Sequence, residues 1–346
     1  MTRAAGLRES RDTRSRSSRS AVALALALVG SACGPKPIAA PPAAPPVALH
    51  LAPACDLVPS AGVEWVVDAK PRALAELPDL IPVIALVVPE ARFATFTTNH
   101  GGIDVRQVQD LCIAKYKDTT LTIARAPFDP LRVEKAFVDR VTKPGGRQLD
   151  VPNPPVVRVW GEVNGERQQL VVFARELVAL EQGQPGVVRA AEAFAQGKLH
   201  RASPALRGGT LTRAVELAGD APVRAFAPGP FEGETAQGLG GLMRASTAVA
   251  ASAQFVGAPA KIALRIVVTG AWGKDAPAAA ERLAAAVHVV AESPFGRLLG
   301  LDHPVVAPQV TTMEDALVIE VTIDGTTLAR GLHDALDAEI GEIMRR

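Results

Sequence analysis

Asn164-Gly165 stands between two alternating apolar and polar runs, VVRVWGEV (156–163) and RQQLVVFA (167–174), and no other local signal restricts this chain's backbone as strongly. A two-residue Asn-Gly loop adopts positive φ at both positions and matches the right-handed twist of paired strands, so the sequence dictates an antiparallel hairpin here. ELVALEQG (176–183) extends it into a meander. LCIAKY (111–116) and LTIARA (121–126) flank Lys117-Asp118-Thr119-Thr120 and form a second hairpin. VEWVVDAK (63–70) is a strand, and the apolar stretch after it, broken by Pro78, Pro82 and Pro89, supplies only short helices.

Helix signals separate these strands. Asp129 caps and Pro130 opens a helix to about Val141, expected to turn Leu131, Val138 and Val141 toward the core. A second helix runs from about Pro185 to Lys198, and Ser203-Pro204 opens a short third. The order then returns: strand 223–227, a Gly-rich segment with a helix near 235–245, and a strand pair from VAASAQF and KIALRIVVTG. Helix 276–292 behind Asp275 and Pro277, strand 316–323 and a last helix 326–344 complete it. The shared order of strand, helix, hairpin, helix and strand predicts an α+β fold of antiparallel sheets with packed helices, in units 54–200 and 201–346 related by duplication, chance likeness of two strand-to-helix units being the other explanation. In outline this resembles uncharacterised α+β bacterial lipoproteins, a likeness that implies no function.

The first 32 residues are of another kind. Arg3, Arg8, Arg11, Arg14, Arg16 and Arg19 precede the uncharged run AVALALALVG (21–30). That run is about half the ~20 residues of a membrane-spanning helix, and Ser31-Ala32 supplies the small residues of a cleavage site, so 1–32 reads as a signal peptide. With no adjacent Arg pair, the general secretory route is preferred. Gly30-Ser31-Ala32-Cys33 resembles the lipobox of bacterial lipoprotein precursors. The resemblance implies cleavage before Cys33, diacylglycerol on its sulfur and an acylated amino terminus; ordinary cleavage after Ala32 is the alternative. Two or three acyl chains anchor stably where one does not. Gly34 at the second mature position, in place of Asp, implies the outer membrane, facing the periplasm. Residues 33–53, with Pro35, Pro37, Pro41, Pro42, Pro45, Pro46 and Pro53, form a Pro/Ala-rich tether reaching roughly 50 Å.

With Cys33 given to lipid, Cys55 and Cys112 remain of the 3 cysteines. In an oxidising compartment they are expected to pair as a disulfide, contributing about 4 kcal/mol by loop entropy, against the alternative of two buried thiols. Loss of the Arg-rich leader turns the formal net charge of +1 into about −3, which argues against a nucleic-acid partner.

No catalytic signature stands out. The 6 histidines (His50, His100, His200, His288, His303, His333) form no metal-binding spacing. His288, within AAAVHVV, is expected to be buried and bonded to backbone or water. His333, Asp334, Asp337 and Glu339 read as a solvated acidic helix face. Gly229–Gly241 lacks the Lys and Ser/Thr of a phosphate loop, Glu314 and Asp315 point apart, and GxSxG is missing. Aromatic residues are 4% of the chain, and Trp65, Trp160 and Trp272 are read as packing residues beside strands. The expectation is a lipid-anchored, non-enzymatic envelope binding or assembly component with no metal or cofactor. A periplasm-facing hydrolase with a non-local site is the second reading.

Overall fold

The computed structural model describes residues 49–51, 53–150, 156–199, 202–257 and 259–343. The expectations for the leader, for Cys33 and for nearly all of the tether lie outside the described residues.

The fold is α+β. Strand β1 (Val63–Ala69) leads through helices α1 (Pro71–Ala75), α2 (Ile81–Val87) and α3 (Glu90–Asn99) to the hairpin β2 (Asp110–Tyr116) and β3 (Thr119–Arg125). Helix α4 (Pro130–Arg140) follows, then the meander β4 (Lys143–Asp150), β5 (Val156–Val163), β6 (Glu166–Phe173) and β7 (Leu177–Gly183), and α5 (Val187–Ala195). After α6 (Thr212–Ala218) comes β8 (Val223–Pro228), the hairpin β9 (Ser246–Val256) and β10 (Lys261–Gly270), α7 (Ala276–Glu292), α8 (Pro294–Leu298), β11 (Val306–Thr312), β12 (Ala316–Asp324) and α9 (Gly325–Ile343). Among the described residues the strands form one 12-stranded sheet, in the order β11-β12-β10-β9-β8-β1-β2-β3-β7-β6-β5-β4.

That order has a simple origin. The chain runs the same path twice: a first strand, a helical connection, a hairpin, a helix, and a meander whose last strand lies beside the hairpin's second strand. β7 thus pairs with β3, and β12 with β10. The first strands of the two passes, β1 and β8, pair antiparallel with Val66 opposite Phe226 and Val67 opposite Ala225, so the sheet continues across both sequence units.

One face of the sheet is sealed by a large core. Cys112, Ala114, Leu121, Ile123, Phe173, Leu177, Phe226 and Val267 meet α5, α6 and the turn Ala54–Leu57. Cys55 and Cys112 form a disulfide inside this core, pinning that turn to β2. The opposite face is covered in three places, one of them where Leu328 of α9 packs on Ile262, Val321 and Ile323. Val133 and Phe137 of α4 pack over β5–β7, and Leu283 of α7 packs with Leu242, Val268, Leu317 and Ile319.

Several details depart from the sequence reading. Helix α4 does not bury Leu131 or Val138, which are 73% and 48% exposed; Val133 and Phe137 face the core instead, with Val141 partly buried beside them. The cause is close backbone packing. A Cβ on Gly101 would lie 2.5 Å from Val133 Cα, so only a glycine-sized neighbour lets this stripe of α4 face inward. No helix begins at Ser203-Pro204: Pro204 bridges to Pro59, the Ala205 amide donates to the Val58 carbonyl at 2.8 Å, and α6 starts only at Thr212. The helix expected near 235–245 is broken into 3-10 turns, because Gly240 and Gly241 take φ of +67° and +85°. Edge strands β4 and β11 went unpredicted. KPGGRQLD has little strand character by itself, but Trp160 lies flat against Gly145 and Gly146 and holds β4 to β5.

Two stability measurements follow. Phe137→Ala is expected to lower unfolding stability by about 3–5 kcal/mol and Leu131→Ala by well under about 1 kcal/mol, as read by denaturant titration. Comparable losses from both would contradict the assigned helix phase.

Candidate functional site

Central strands β1, β8 and β9 are apolar on both faces, which sets up the site. Val66, Phe226 and Ala250 point into the sealed core, so their neighbours Val67, Ala225 and Ala251 point the other way in one cross-strand row. Trp65 and Val249 belong to the adjacent row. Alanine side chains are short, so the row forms the floor of a depression between the bulkier flanks. This trough of about 350 Å³ is lined by Trp65, Val67, Ala225, Ala227, Val249 and Ala251 and is almost wholly apolar. Trp65 is 40% exposed on it. On one side Val249 and Ile266 pack against the apolar cluster beneath α7; on the other, Ile113 of β2 stands opposite Val67, with Leu111 joining the cluster beneath α4. Helices α1, α2 and α3, which join β1 to β2, bury none of their residues.

The charged groups buried elsewhere have structural work. Glu181, on the sealed face, accepts from the Gly186 and Val188 amides at 3.0 and 2.9 Å and so caps the N-terminus of α5. Arg158 of β5 and Glu192 of α5 form a buried ion pair beneath the same helix, and Gln148 accepts from Arg158 at 2.8 Å. The Tyr116 hydroxyl donates to the Pro59 carbonyl at 2.7 Å, and burial pushes its phenol pKa upward. None of these residues lines the trough.

The residues singled out in the sequence are dispersed. His288 is not buried: its side chain is 72% exposed and meets Glu292 at 3.3 Å, because α7 turns Ala279, Leu283 and Val287 toward the sheet and position 288 falls outside that stripe. His303 is exposed beside Asp302, and His100 lies at the end of α3. His200, and the side chains of Asp337 and Glu339, lie outside the described residues. Among the described residues no group of three His, Cys, Asp or Glu side chains could hold a metal ion. Gly229–Gly241 packs through Gly240 against α7. Asp315 is paired with Arg213 at 2.7 Å. Of the three tryptophans, Trp272 is buried with its indole N–H donating to the Val268 carbonyl at 3.3 Å, Trp160 covers β4, and Trp65 opens onto the trough. The trough residues gave one signal in the sequence: VEWVVDA is apolar at both odd and even positions, the mark of a strand with two apolar faces.

No family model matches the chain, and no curated protein matches it. Among solved structures it is similar to crystal form I of TP0453, with 10% identity over 82% of this chain and 98% of that chain and a TM-score of 0.46. At that level neither function nor site residues transfer.

The Arg158–Glu192 pair can be separated from any functional role. Arg158→Met is expected to cost about 3–5 kcal/mol, since it strands a buried carboxylate, whereas Arg158→Met with Glu192→Leu restores most of the loss. A double variant as unstable as the single one in denaturant titration would contradict this account.

Proposed function

We propose that this protein is an exported, lipid-anchored envelope component that binds an elongated apolar group in the trough across β1, β8 and β9. The observation that carries this reading is the trough itself: an apolar floor at the middle of the sheet with a solvent-facing tryptophan. An apolar concavity of this volume suits an apolar ligand group. Polar groups are few there, so shape and apolar contact supply the affinity, and no nucleophile or acid–base pair lines it for chemistry.

The anchor belongs to the same reading. Acylation at Cys33 would hold the protein at a membrane, the outer membrane by the residue at position 34, with residues 33–53 as the tether. The disulfide between Cys55 and Cys112 fits an oxidising compartment and fixes the segment just after the tether to the central sheet.

The full mature chain, purified from membranes, is expected to bind an environment-sensitive apolar dye with a blue shift of Trp65 emission. Ala225→Trp or Ala251→Trp, which fill the floor, should weaken that binding at least tenfold in fluorescence titration while leaving the unfolding midpoint within a few degrees. Unchanged binding by stable variants would sink the trough reading. For the anchor, Cys33→Ala should abolish incorporation of labelled fatty acid and move the protein from the membrane to the soluble fraction. Retained label and membrane association would overturn it.

A further inference from the structure

Where α3 ends, His100 makes contacts that commit both nitrogens of its ring. Nδ1 donates to the Phe96 carbonyl at 2.8 Å, one turn back in the same helix, and Nε2 accepts from the Arg140 guanidinium of α4 at 3.2 Å. The imidazole also stacks on the Phe96 ring, with centroids 3.9 Å apart. Only the neutral ring with its proton on Nδ1 can do this, because a protonated Nε2 has no lone pair to offer Arg140.

The surroundings give a protonated ring no carboxylate. Among the described residues Arg140 has no acidic partner, its other side-chain bond being to the Ala136 carbonyl at 3.2 Å. Arg132, also on α4, stands over Gly102, with its Cζ 3.6 Å from where a Cβ would be. The nearby acids are committed: Asp104 and Glu90 to Arg106 at 2.9 Å each, and Asp139 to Lys135 at 2.7 Å. Helix α2 lies against α9, α1 meets the 105–107 turn and Gly101 packs on the α4 backbone, so within an arm that buries no residue the His100 contact secures the α3 end. Gly101 and Gly102, at φ +70° and +94°, carry the turn that follows.

We propose that His100 is an acid-sensitive latch that docks the end of α3 onto α4 through Arg140, and that protonation releases this α3 end of the α1–α3 arm. Burial, partly offset by the hydrogen bond to the Phe96 carbonyl and reinforced by Arg140, holds the ring below its ordinary value of 6.5, so the docked state takes up its proton less readily than the free arm. The sign follows from linkage. Docking is at full strength above 6.5 and weakens as the pH falls below it, until the docked ring is itself protonated. Over that window the ratio of free to docked arm rises by up to about tenfold per pH unit.

Hydrogen exchange of the full mature chain at pH 7.5 and 5.5, corrected for the intrinsic rate, tests this directly. Residues 90–103 should lose protection at the lower pH while β2 and β3 keep theirs. His100→Gln supplies a neutral donor and acceptor at every pH, and its arm should exchange alike at both. Equal protection of the native arm at the two pH values, or the same acid loss in His100→Gln, would overturn the latch. Should that variant misfold, the imidazole can be followed by NMR in the native chain. A midpoint below 6.5, with the exchange of α3 following the same curve, supports the latch; a midpoint at or above 6.5 rules it out.

Discussion

Four residue pairs between β1 and β8 hold the two halves of the sheet together. Val66 opposite Phe226, Val67 opposite Ala225, Asp68 opposite Arg224 and Ala69 opposite Val223 make up that ladder. On either side the chain follows the same path outward, so every other strand takes its position from this central pair. Its two faces do different work. Val66 and Phe226 enter the sealed core with the disulfide, while Val67 and Ala225 face the other way and line the trough.

This unequal coverage is the basis of the site. Helices α5 and α6 and the Ala54–Leu57 turn share one core, which reaches under both halves. On the opposite face α4 covers the outer strands of one half, and α7 and α9 cover those of the other. The strip between them falls at the junction, where the residues are too small to fill the space and too apolar to be neutral toward water. Helices α1–α3 connect β1 to β2 without burying a residue; α2 lies against α9, and the end of α3 is fixed by the contact of His100 with Arg140.

Much of the architecture was legible because its signals are local. Asn164-Gly165 with its flanking alternation specifies β5 and β6, and the Asp129 carboxylate accepting from the Leu131 amide at 3.0 Å starts α4 where the sequence places it. What failed had non-local causes. The phase of α4 was set by Gly101, about thirty residues away, and β4 exists because Trp160 lies over its glycines. His288 reads as buried from its apolar neighbours, but it lies on the outer face of α7 while Val287 and Ala291 face inward. The trough was legible only as a strand apolar on both sides; nothing local indicated that one of those sides would be left open.

The sequence by itself determined every strand but β4 and β11, most of the helices, the charge balance of the chain without its Arg-rich leader and the resemblance to a lipid-anchored precursor. These depend on residue type and short spacing, which local backbone sterics and hydrogen bonding translate directly into structure. Only the tertiary structure decided that β1 and β8 meet, that Cys55 and Cys112 share a core, and that Trp65 looks onto a bare apolar floor. Those outcomes rest on contacts between segments far apart in the chain, whose free energies come from burial and packing and have no signature within a short window of residues.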